Sequence, residues 1–108
     1  MAANNRYGNS RTDLVLKGRA TATWDPGSVA SKDTVGNSFV ATTVTVTGAA
    51  LGDLVLVSFS LDVTDLVLTA DVTAADTITV VLSNPTSGAV DLASGTLTVV
   101  VIDQNTGL

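Results

Sequence analysis

Apolar and polar residues alternate along most of this chain with a period of two. In residues 19–24 (RATATW) every second side chain is apolar. In residues 39–47, Phe39, Ala41, Thr43, Thr45 and Thr47 fall on one side and Val40, Thr42, Val44 and Val46 on the other. Successive side chains of a strand point to opposite faces, so this alternation predicts extended strands with one wet and one dry face. The threonine row is the expected wet face. Residues 65–72 place Leu66, Leu68, Ala70 and Val72 together, and residues 77–82 turn Ile78, Val80 and Leu82 toward a core. Two segments, 54–59 (LVLVSF) and 96–103 (TLTVVVID), are apolar on both sides or nearly so. Such strands require cover on both faces, and a second subunit is an economical source of the outer cover.

Turn signals separate these runs. Asp25-Pro26-Gly27-Ser28 ends the first strand, with proline presetting φ and glycine accepting positive φ, as in a type II turn. Residues 29–38 form a polar connection. Residues 48–53 (GAALGD) make a small-residue loop, and Thr73-Ala74-Ala75-Asp76 a tight link. Asn84-Pro85-Thr86-Ser87-Gly88 breaks the pattern, and residues 89–94 read as irregular. The count is about six core strands with turns at sandwich-like intervals. The expected fold is all-β: an antiparallel β-sandwich or jelly-roll-like barrel with an extended N-terminal arm. Residues 1–18 are the expected flexible arm, 19–103 the β domain and 104–108 a loosely held tail.

Composition supports the all-β reading. Valine and threonine dominate, glutamate is absent, and Lys17 and Lys32 are the two lysines. Branching at Cβ suits a pleated surface, whereas exposed helix positions are filled by Glu, Lys and Gln. No apolar run reaches the roughly 18–20 residues of a membrane span, and the first residues (MAANNRYGNSRTD) lack the apolar stretch of a secretory signal. The five basic residues, Arg6, Arg11, Lys17, Arg19 and Lys32, all lie in the first 32, while the remainder carries only aspartates. A basic arm on an acidic body suggests docking on an acidic surface. The acidic body disfavours nucleic acid.

Catalytic chemistry finds little to work with. Histidine and cysteine are both absent, which removes the commonest general base and the soft nucleophile. The nearest carboxylate couples, Asp62 with Asp65 and Asp71 with Asp76, read as strand-end turn residues whose side chains accept backbone N–H bonds. The spacing of a calcium loop is missing. The GAALGD loop lacks the lysine of a phosphate-binding loop. Four aromatics, Tyr7, Trp24, Phe39 and Phe59, are a poor supply for a sugar or base-stacking site. The chain is not expected to be an enzyme, nor to use a cofactor, metal, small-molecule substrate, nucleic acid or membrane.

The stretch VTVTGAALGDLVLVSFS, residues 44–60, resembles a module that recurs in structural proteins of tailed bacteriophages. Asp62-Val63-Thr64, the run ADVTAADTITV at 70–80, Asp91-Leu92-Ala93-Ser94-Gly95-Thr96-Leu97 and, upstream, Trp24-Asp25-Pro26-Gly27-Ser28 continue the resemblance across most of residues 20–103. The ordered series resembles capsid decoration (cement) proteins and, as an alternative, domains of tails, fibres or baseplates. It implies a virion protein on the outer capsid surface, assembled in the bacterial host cytoplasm. It further implies the major capsid protein as partner and a homotrimer at local threefold positions. On that reading Arg6, Tyr7 and Arg11 are candidates for docking on the capsid. Leu54, Leu56, Val100 and Ile102 are candidates for a subunit interface. Trp24 has two readings, a core residue closing one end of the fold or an interface anchor, since tryptophan is enriched at hot spots.

Overall fold

The computed structural model of the chain describes residues 14–105. The described residues form eight strands and no helix: β1 (Leu16–Trp24), β2 (Gly27–Val29), β3 (Phe39–Thr45), β4 (Leu54–Phe59), β5 (Val67–Ala74), β6 (Thr77–Ser83), β7 (Val90–Leu92) and β8 (Gly95–Ile102). They make three antiparallel sheets, ordered β1-β8-β4, β3-β6-β5 and β2-β7. β8 is central in the first, paired with β1 and β4, and β6 is central in the second, paired with β3 and β5.

The alternation locates the core. Ile78, Val80 and Leu82 of β6 and Leu97, Val99 and Val101 of β8 are fully buried. The inward residues of both three-stranded sheets meet in one cluster that joins Val44 and Val46 to Val72, Ile78, Val80, Leu97, Val99 and Val101. β1 lies near β3, and β4 lies over β5. A second cluster, Val29, Leu66, Leu82 and Leu92, closes the end where β1 and β4 finish, with Trp24 and Phe59 packed on it.

Chain direction follows from the ends. Gly18 approaches Val46, so that a Cβ there would stand 2.9 Å from its Cγ1. The close of β3 therefore lies beside the start of β1. β1 and β4 run alike, both antiparallel to β8, and β3 runs opposite to them. The chain thus passes from sheet to sheet at β1–β3, β3–β4, β4–β5 and β6–β8, while the β5–β6 link is a hairpin within one sheet.

Several expectations hold. Phe39, Ala41, Thr43, Thr45 and Thr47 are exposed, and Val44 and Val46 are buried. Val72 is buried on the expected face of β5, and Leu66, just before its start, is buried as well. Two points differ. The chain does not close into a barrel: among the described residues the two larger sheets share no ladder, because loops alone carry the chain between them. Residues 89–94, expected to be irregular, contain β7, which pairs with β2 through Gly27↔Leu92, Ser28↔Asp91 and Val29↔Val90. Three-residue strands are too short for periodicity to reveal. Leu54 and Leu56 are not covered on the outside, since nothing else in the described chain reaches that face.

Candidate functional site

The described residues enclose no cavity and bring no three metal-ligating side chains together. The feature that stands out is the outer face of the β1-β8-β4 sheet. Register sets Leu16, Ile102 and Leu54 in one row and Arg19, Val100 and Leu56 in the next. Leu16, Leu54 and Leu56 are 65%, 53% and 59% exposed. Val100 is half-buried between its neighbours, and Ile102, flanked by Leu16 and Leu54, is buried. The next row, Thr21, Thr98 and Ser58, is polar. The result is an apolar patch over one half of the face, rimmed by Arg19 and by hydroxyls. Contiguous exposed apolar surface of this kind is a mark of association. The four strand residues Leu54, Leu56, Val100 and Ile102 are brought together there. Leu16 joins them, a residue that the arm assignment hid.

Trp24 sits elsewhere. It is half-buried at the end of β1, with its ring edge-on to Phe59 at a centroid distance of 6.0 Å, and it packs against both core clusters. Arg6, Tyr7 and Arg11 lie outside the described residues. Of the segment assigned to the arm, Leu16 and Gly18 pair with Ile102 and Val101.

Beneath the patch, one end of the molecule is tied by Asp53. Its carboxylate accepts from Lys17 Nζ at 2.7 Å, Ala50 N–H at 3.0 Å and Gln104 N–H at 3.1 Å. Lys17 also donates to the Gly48 carbonyl, and Gln104 Nε2 donates to that of Leu51. The Lys17 hydrogen bond holds the Asp53 carboxyl below its ordinary value against the opposing push of burial, with further help from the Ala50 and Gln104 amides. The same bond raises the Lys17 pKa. Hairpin residue Asp76 completes the tie: its Oδ1 accepts from Gly48 N–H, and its own N–H donates to the Ala49 carbonyl. β1, the 48–53 loop, the β5–β6 hairpin and the end of β8 are therefore fastened at one point, which fixes the base on which Leu16, Leu54 and Ile102 stand. In the sequence Asp53 is one aspartate among ten; its position directly before an apolar strand was the available signal.

Of the four aspartates expected at strand ends, Asp62 accepts the N–H of Thr64 and Asp76 that of Gly48, whereas Asp71 lies within β5, opposite Thr79. Asp25 and Asp103 also accept the N–H two residues ahead. Comparison with protein families, with curated proteins and with solved structures yields no match.

Proposed function

We propose that this chain is a capsid decoration protein of a tailed bacteriophage, a β-sandwich that self-associates as a trimer and adds contacts between neighbouring major capsid proteins on the outside of the head. The observation that carries the reading is the apolar patch of Leu16, Leu54, Leu56 and Val100 on an otherwise polar sheet face. The sandwich is the arrangement in which the inner faces of the two three-stranded sheets share one core. The module resemblance across residues 20–103 supplies the setting, and the acidic body fits a role that excludes nucleic acid.

The mechanism is mechanical. A protein that binds only the assembled lattice stabilises it by its binding free energy. A symmetric cluster multiplies weak contacts into avidity. The experiment compares heads assembled with and without the chain. Heads lacking it should form normally and open at a lower temperature or under gentler mechanical stress. Identical opening of the two would contradict the reading.

A further inference from the structure

Building on the self-association proposed above, we propose that copies join by strand addition, head to tail: the free edge of β4 in one copy adds to the free edge of β3 in the next. Among the described residues the two three-stranded sheets have four edges, β1 and β4 on one and β3 and β5 on the other. Exposed edges invite pairing with another chain, and proteins blunt those that must stay single with bulges and charges. Two of the four are blunted in this way. β1 has a register break between Leu16 and Gly18 and carries Lys17 and Arg19. β5 has a break between Val72 and Ala74 and carries Asp71. β3 (FVATTVT) and β4 (LVLVSF) have neither bulge nor charge, and no proline or glycine.

Their placement makes them complementary. β4 lies over β5 and β1 near β3, so each side of the body offers one open edge beside one blunted edge. The two open edges belong to opposite sheets and opposite sides. They also run in opposite directions. An axis parallel to the strands therefore brings β4 of one copy against β3 of the next as an antiparallel pair, whereas β4 against β1 would be parallel. Such heterologous contacts close into a ring where the rotation between copies closes, and a trimer is one such ring. Main-chain pairing of this type is an established way for proteins to add a strand to an open sheet.

The hydrogen-bonding groups can be assigned. Ser60 N–H donates to the Thr96 carbonyl, so by the alternation of antiparallel ladders Val55, Val57 and Phe59 direct their groups to the open edge. Asn84 N–H donates to Ser38 and Val46 N–H to Asp76, which bracket β3 and leave Phe39, Ala41, Thr43 and Thr45 facing outward along the sheet. On β1 the same rule leaves Arg19, Thr21 and Thr23 on the open edge, since their neighbours Gly18, Ala20 and Ala22 bond to β8.

The test is a matched pair of proline substitutions. Thr43→Pro and Thr21→Pro each remove one edge-facing N–H from an exposed position and leave the internal ladder intact; proline is tolerated at such edge positions. Sedimentation of each full chain is measured beside far-ultraviolet circular dichroism, which reports folding. Thr43→Pro should weaken association by about tenfold or more, and Thr21→Pro should leave it unchanged. Folded Thr43→Pro protein that associates as the parent does would overturn strand addition while leaving self-association through the outer patch standing. Equal loss in both proline variants would also overturn it. So would loss of association on deleting residues 1–13 alone, which would name that segment as the occupant of the edge.

Discussion

Asp53 is the side chain on which the lower end of the molecule depends. Its three donors come from three separate stretches of chain, so removing the carboxylate loosens all three together. Its pKa is depressed in the folded state. A depressed carboxylate contributes stability that is present above its unfolded pKa, near 3.9, and is lost as pH falls through the folded value. Lys17 is raised, so its contribution is complete below its unfolded pKa, near 10.4, and lost only as pH rises through the folded one. The pair is thus intact between those limits. Asp53→Asn should lower the melting temperature at pH 7 and flatten the acid limb of a melting-temperature profile below the ordinary carboxylate range. Parallel profiles for parent and variant would show that another group governs the acid limb. Asn84 is a second such residue, buried, donating to the Val29 and Gly88 carbonyls and accepting from the N–H and hydroxyl of Thr86. Asn84→Ala takes the side-chain donor from the buried Val29 carbonyl and the acceptor from the Thr86 N–H, while the Thr86 hydroxyl still reaches the Gly88 carbonyl, and should cost about 1–3 kcal/mol in denaturant unfolding.

At the scale of elements, the hairpin between β5 and β6 shows how a turn residue becomes structural. Asp76 has φ of 61°, a left-handed conformation that costs an ordinary L-residue about 1–2 kcal/mol and that Asn and Asp tolerate better. Its carboxylate and its amide also hold residues 48 and 49. Asp76→Asn should be nearly neutral, since the amide oxygen can accept the same bond. Asp76→Ala should lose about 2 kcal/mol from strain and the missing acceptor together. Equal stability of the two variants would refute that assignment. The strands were legible because their alternation spans six or more residues: β3, β5 and β6 have the faces that the pattern predicts. β2 and β7 were not legible, because a three-residue pair is defined by its partner rather than by its own sequence. The Asp53 tie was equally hidden, since two of its three donors lie 36 residues before it and 51 after.

At the scale of the whole molecule, the same strands that build the core supply the surface. In β4, Val55, Val57 and Phe59 turn inward while Leu54 and Leu56 turn out. The sequence pattern located the apolar outer residues, and the register of β8 explains why Val100 and Ile102 join them. Leu16 escaped because it precedes the first alternating run. The proposal to be tested at this scale is that further copies of the chain cover the patch. The direct measurement is sedimentation equilibrium of the purified chain at tens of micromolar, a range in which a modest interface saturates, beside a Leu54→Ser, Leu56→Ser double variant. Both side chains are exposed in the single chain, so the variant should fold with stability within about 0.5 kcal/mol of the parent. The account predicts a mass near three subunits for the parent and one for the variant. A parent that remains strictly monomeric, or a variant that assembles as the parent does, would contradict it.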